Sequence, residues 1–203
     1  MSTIPEVFII ESLKFDEEND YREGELIYRS LRMAGKEPRY CYIRTREELE
    51  HFVDVFEDSN YRYLHISCHG FLRGISTTLN DLPRKQFIET VAPVLDSRRL
   101  FLSTCLATTE KLANGIFSTS SCNSVAGPAG TIYSDDSVIL WTSFYHLMFK
   151  ENSKGMSRTM IKRNLAKSAL LVNENIHFFA PSRRRKAILS KLPAKRNVGL
   201  VSS

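Results

Sequence analysis

Short apolar runs rich in β-branched residues alternate with amphipathic helical patterns along most of the chain, and that alternation leaves few topologies open. Val7 to Ile10 (VFII) carries no polar residue and reads as a buried strand. Asp20-x-x-Glu23 behind it has the form of a capping box. Ile27, Leu31 and Ala34 then recur at i, i+4 and i+7 before Gly35, which predicts an amphipathic helix with a glycine stop. Arg39 to Ile43 is a second strand candidate. Thr45-x-x-Glu48 is another capping box, and Leu49, Phe52, Val53 and Phe56 form the apolar stripe of the helix it opens.

The pattern continues. Tyr63 to Ser67 is a third strand leading into Cys68-His69-Gly70. Asp81 and Pro83 predict the start of a helix within Asn80 to Leu95, and Pro93 its kink or end. Leu100 to Ser103 is a fourth strand leading into Thr104-Cys105, with a short helix expected over Thr109 to Phe117. Asn123 to Ala126 is a fifth strand, broken by Gly127-Pro128-Ala129-Gly130. Two helices are expected over Asp136 to Lys150 and Met156 to Val172, and a last strand over Ile176 to Phe179. From Pro181 onward no element stands out.

Strand–helix alternation of this kind predicts an α/β fold with a parallel sheet and helices on both faces. In such sheets the chemistry gathers at the carboxyl ends of the strands. Two predicted strands end in reactive side chains, His69 and Cys105. If those strands are neighbours, their ends lie roughly 5 Å apart, and a thiol and an imidazole share one crevice. A cysteine nucleophile needs a nearby acid or base for the leaving-group proton. It also needs N–H donors for the oxyanion, which strand ends supply. The helix expected after Cys105 would turn its positive end toward the thiolate. At Gly70 a Cβ would crowd a substrate backbone.

Composition narrows the class. The chain has 203 residues, 42% of them hydrophobic and 25% charged, enough for one large domain with a buried core. It holds no apolar run of about 18 residues, so membrane insertion is not expected. Met1 to Pro5 shows no secretory pattern. The four cysteines, Cys41, Cys68, Cys105 and Cys122, include no C-x-x-C pair, which argues for a reduced, cytoplasmic setting and against a thiolate metal site. No H-x-x-x-H motif and no Gly-Lys-Ser/Thr ending of a phosphate loop occur. Neither metal nor cofactor is therefore expected.

Charge is uneven. From Lys150 onward there are 13 Lys and Arg against two acids, and the rest of the chain has 15 basic against 21 acidic residues. A basic C-terminal third invites two readings, contact with nucleic acid or a solvated helix face with a loose tail. Its densest cluster, Arg183-Arg184-Arg185-Lys186, has no interleaved aromatics to stack on bases, so nucleic acid is not expected as a partner.

YLHISCHG followed by RRLFLSTC resembles the caspase-like cysteine peptidases of the caspase/separase clan, closest in look to the CHAT-domain proteases. SVAGPAGTIYSDDSVILWTSFYHLM resembles the next block of that branch, with its strand, turn, acidic residue and Phe-Tyr helix. The resemblance spans roughly residues 60 to 170 and implies a caspase–haemoglobinase-like α/β/α sandwich. It implies Cys105 as nucleophile, His69 as general acid/base, and the N–H groups of Gly70 and Cys105 as the oxyanion hole. Many clan members cut after Arg or Lys and hold that side chain on an acid, a position that Asp135 or Asp136 matches best. Both also fit helix capping, and one could serve each role. Departures from the family pattern are a short His69-to-Cys105 separation and Ile132-Tyr133 where a Trp is usual.

The resulting expectation is a peptidase domain over 1–180 with a partly mobile basic segment over 181–203. The enzyme would be a cysteine endopeptidase acting on a protein substrate. The resemblance implies a role in bacterial antiviral defence or cell death, with a gasdermin-like pore former as one possible substrate. An activating or inhibiting partner, or a small-molecule signal, would restrain a chain that is little more than a catalytic core. The competing readings are a catalytically silent caspase-like binding module and a nucleic-acid-associated α/β protein. Cys68 and His65 are expected to be core residues, since Cys68 points away from His69 on the strand. Trp141 and Phe144 are expected in the core as well.

Overall fold

The computed structural model describes residues 3–193. A mixed sheet runs through the middle of the chain in the order β2 (Arg39–Tyr42), β1 (Ile4–Ser12), β3 (Tyr61–Phe71), β6 (Arg99–Ser103), β7 (Ser124–Pro128), β8 (Ile176–Pro181) and β9 (Ala187–Leu192). The first five of these are parallel, as the alternation predicts. β8 runs against them, and β9 runs against β8 and so along with them.

Alternation along the strands separates two apolar layers. Phe8, Ile10, Leu64, Ile66, Leu100 and Leu102 face one side. There they meet α2 (Arg46–Asp58), α3 (Arg84–Val91) and α4 (Glu110–Thr119). Val7, Ile9, Tyr63 and Phe101 face the other, against α1 (Glu23–Met33), α5 (Ser134–Glu151) and α6 (Arg158–Leu171). These residues are fully or almost fully buried, and each such side chain contributes roughly 1.5–3 kcal/mol. Trp141, Phe144 and Tyr145 of α5 stack edge-on around Phe101, which anchors the longest helix across the middle of the sheet. The expected α/β/α layering is thus observed.

Local signals set several boundaries. Thr45 accepts from the Glu48 N–H, and the Glu48 carboxylate reaches back to the Thr45 N–H, completing the capping box of α2. Thr109 caps α4 through the Leu112 N–H. The other expected box fails: Arg22, with no capping side chain, precedes α1, and Glu23 is drawn inward. Nor is Asp81 a cap. β3 continues through His69 and Gly70 and doubles back as β4 (Gly74–Ser76), which pairs with β5 (Asp81–Pro83). Across that pair Ser76 Oγ donates to Asp81 Oδ1 at 2.5 Å, and α3 begins only at Arg84. Three-residue strands are too short to show a period in sequence.

Residues 181–192, unplaced by the sequence, finish β8, turn, and add β9 to the sheet. The cluster Arg183 to Lys186 is the exposed turn of this hairpin. No helix among the described residues is long and apolar enough to cross a membrane.

Candidate active site

β3 and β6 are hydrogen-bonded neighbours, in register from Tyr63 against Arg99 to Ser67 against Ser103. His69, two residues beyond Ser67, and Cys105, two beyond Ser103, therefore come together at the carboxyl end of the sheet. Both line one small pocket of about 70 Å3. The backbones touch as well. A Cβ on Gly70 would stand 2.2 Å from Cys105 O and 3.0 Å from Cys105 N. The glycine is thus required by the Cys105 main chain itself rather than by a substrate. It also sets the N–H groups of Gly70 and Cys105 on abutting segments. Leu106, directly after Cys105, holds a left-handed φ of 58°, a strained geometry common at functional sites, and its N–H donates to Gly130 O.

His69 is 40% exposed at the side chain and hydrogen-bonds with Glu17, Nε2 to Oε2 at 2.5 Å. Glu17 comes from the loop between β1 and α1, where the Lys14 N–H also donates to Oε2 at 3.1 Å. Burial raises the pKa of this carboxyl, but hydrogen bonds from His69 and Lys14 outweigh it and hold it below the ordinary range. Cys105 Sγ does not bond to the His69 ring among the described residues. It accepts from the Ile132 N–H at 3.4 Å and lies 3.6 Å from Ile132 O.

The carboxylate facing the pocket belongs to Glu23. It is 6% exposed and lines the cavity with Ser67, Ser103, Ser134 and Ser137. Ser103 Oγ donates to its Oε2 at 2.9 Å and Ser67 Oγ at 3.3 Å, while Oε1 is buried without a partner. Burial pushes its pKa up to about 8, opposed by the Ser103 hydrogen bond and reinforced by the neighbouring charge of Glu11. Glu11 itself is buried at the end of β1 and accepts from the Gly24 N–H (2.6 Å) and Tyr40 OH (2.7 Å). It thereby fixes the first turn of α1 and the aim of Glu23.

Asp135 and Asp136 lie in the first turn of α5, where Asp135 Oδ1 accepts from the Asp136 N–H. Asp135 is exposed and Asp136 partly so, and the side of that turn lining the pocket is Ser134 and Ser137. Cys68 is buried in the α2–α4 layer, and burial raises its thiol pKa. His65 is fully buried, with Nδ1 2.9 Å from Tyr145 OH. Sequence reasoning missed Glu17 and Glu23. Glu17 sits in the acidic run Asp16-Glu17-Glu18 and has no local signature. Glu23 resembled a capping residue.

No protein-family model matches the sequence, and no curated protein matches it. Solved structures do. The chain is similar to a secreted C11 cysteine protease from Bacteroides thetaiotaomicron, with a TM-score of 0.60 at 7% identity, over 87% of this chain and 66% of that one. It is also similar to the Arg-specific cysteine proteinase gingipain R, with a TM-score of 0.57 at 11% identity, over 83% of this chain and 42% of that one. The chain thus spans about two-fifths of the gingipain chain and just under two-thirds of the other. At these identities the likeness is one of fold: a central, mostly parallel sheet between helical layers, as in both cysteine proteases and as expected of a caspase-like chain.

Proposed function

We propose that the protein is a cysteine endopeptidase that cuts a polypeptide after Arg or Lys. The observation that carries this reading is the convergence of Cys105, His69 and the buried Glu23 carboxylate on one pocket at the carboxyl ends of β3 and β6. Cys105 Sγ attacks the scissile carbonyl carbon, and the N–H groups of Gly70 and Cys105 receive the developing oxyanion. The thiol proton passes to His69 and on to the leaving amine as the C–N bond breaks. Water then attacks the thioester, His69 takes one of its protons, and the acid product and free thiol are regenerated. Glu17 holds the imidazole ring in place. Glu23 is the acid for a cationic P1 side chain, its unpartnered Oε1 and the surrounding serine hydroxyls forming the floor. Asp135 and Asp136 would then meet the substrate outside the pocket. The basic P1 parallels the Arg specificity of gingipain R.

A second reading, a catalytically silent binding module, is favoured by one feature: Sγ is held by the Ile132 backbone, not by His69. Fluorogenic peptides with Arg, Lys or Asp at P1 separate the two. The peptidase reading expects turnover of the Arg and Lys peptides by wild type and none by Cys105→Ala. If no peptide is cut and a thiol-reactive arginyl peptide fails to label Cys105, the silent module is the better account.

A further inference from the structure

A large concavity lies at the opposite end of the sheet. It is a groove of about 1230 Å3 along the amino-terminal ends of β1, β3, β6 and β7. Three arginines line it, Arg62, Arg98 and Arg99. Arg98 is committed to structure. It donates to Val94 O at 2.7 Å and to Glu57 O at 2.8 Å, and its guanidinium lies 4.7 Å from the centre of the Phe56 ring.

Arg99 is different. It is mostly buried, and its guanidinium reaches one side-chain oxygen, Ser124 Oγ at 2.9 Å. Arg62 is clipped to Thr3 and to Lys154 O. Arg158, the exposed first residue of α6, stands close enough for its charge to act on Arg99. None of the four arginines forms an ion pair among the described residues. The groove's acids do not fill the gap. Glu57 and Asp96 act on Arg98, and the Asp96 carboxylate is taken up by Ser121 N–H and Oγ. Burial holds the Arg99 guanidinium below the ordinary range, opposed by Tyr63 and Cys122 and reinforced by the like charges of Arg158 and Arg62. Charges taken out of water normally have a partner. Two groove residues, Asn60 and Ser97, also hold left-handed backbone conformations, φ 58° and 59°.

We propose that the groove is a binding site for the phosphoryl group of a small phosphorylated molecule, held by the groove-lining Arg99 and Arg62. Guanidinium forks match phosphate oxygens pairwise, and a dianion balances like charges that otherwise repel. The ligand is small. No aromatic lines the groove to stack on nucleic-acid bases, and exposed Glu57 and Asp58 at one edge would repel a long polyanion. The same acids suit the hydroxyl groups of an organic phosphate. The site is independent of the peptidase reading, although β3 and β6, which begin here, lead to His69 and Cys105.

Thermal unfolding of the full chain, titrated with pyrophosphate at ionic strength held constant with chloride, tests the site. The midpoint should rise and saturate in wild type and Cys105→Ala alike. It should not respond in Arg99→Met or in Arg62→Gln, a change at the partly exposed rim of the groove. Without ligand, Arg99→Met should unfold at a higher temperature than wild type, because the unpaired charge is gone. A nucleoside diphosphate run in parallel should bind more tightly than pyrophosphate if the groove also holds the organic part, and equally if only the phosphoryl group is held. A response no larger than that to chloride, an undiminished response in Arg62→Gln, or stabilisation by a short oligonucleotide but not by pyrophosphate would overturn the proposal.

Discussion

Glu17 Oε2 lies 2.5 Å from His69 Nε2, joining residues 52 positions apart. The contact fixes the ring of the proposed acid/base from the side of the β1–α1 loop. Glu17→Gln keeps the shape and removes the charge. Peptide hydrolysis by this variant should fall on the order of tenfold to a hundredfold in kcat with little change in KM, since general acid/base groups carry about 10²–10⁴ of rate. A variant that loses affinity but keeps kcat would place Glu17 in substrate binding instead.

Glu23 should make the protein less stable as pH rises. Its folded pKa of about 8 stands above the ordinary glutamate value of 4.5. Below pH 4.5 both states hold the proton. Between 4.5 and 8 only the folded state holds it, so unfolding releases it and stability falls by about 1.4 kcal/mol per pH unit. At pH 7 the accumulated loss is about 3 kcal/mol. In Glu23→Gln this slope should vanish, and the variant should be more stable than wild type at pH 8 in denaturant titrations. Equal pH slopes in the two proteins would show that the carboxyl is ionised in the resting fold.

The same carboxyl predicts proton release on substrate binding. A cationic P1 side chain stabilises the ionised form, so an arginyl peptide bound to Cys105→Ala below pH 8 should expel up to one proton. Calorimetry in two buffers of different ionisation enthalpy reads this directly. The release should disappear when Glu23→Gln is added, along with most of the preference for Arg over Gln at P1.

Much of this site is written in the sequence as strand ends. YLHIS and RLFLS are apolar runs whose termini carry His69 and Cys105, and a parallel register brings such ends together without further instruction. Trp141, Phe144, His65 and Cys68 follow the alternation into the core. The acids are legible only in three dimensions. Glu23 obeys a capping pattern locally, but Ser67, Ser103 and Ser137 from three other elements draw it inward. Asp135 and Asp136 fit the family pattern on sequence, yet the helical turn presents Ser134 and Ser137 to the pocket. The β4–β5 pair is held by contacts too short in sequence to leave a period, and β9 is an exposed edge strand with little apolar alternation.

Gly70→Ala should disable the site through the main chain. The added Cβ would stand 2.2 Å from Cys105 O, about 1 Å inside ordinary contact, so β3 and the Cys105 segment must separate. Overpacking of this kind costs typically 1–3 kcal/mol. The variant should fold with a lowered midpoint and lose both peptide turnover and labelling of Cys105, while retaining its far-ultraviolet dichroism. Activity near that of wild type would mean the two segments can part without moving the thiol.

His65 should set the acid limb of stability. It is fully buried against Trp141 and Tyr145 with Nε2 unpartnered, and burial lowers its pKa from 6.5 to about 3. Above pH 6.5 the ring is neutral folded or unfolded, and its contribution is fully present. As pH falls from 6.5 toward 3 only the unfolded chain takes the proton, and stability declines by about 1.4 kcal/mol per unit. From pH 4.5 to 6.5 this opposes the Glu23 slope. For these two groups together the stability profile should therefore be flat across that window, falling on the acid side through His65 and on the alkaline side through Glu23. His65→Leu should remove only the first decline and Glu23→Gln only the second, as read from unfolding midpoints between pH 3.5 and 8.5. Persistence of an unchanged acid limb in His65→Leu would assign it to the carboxylates instead.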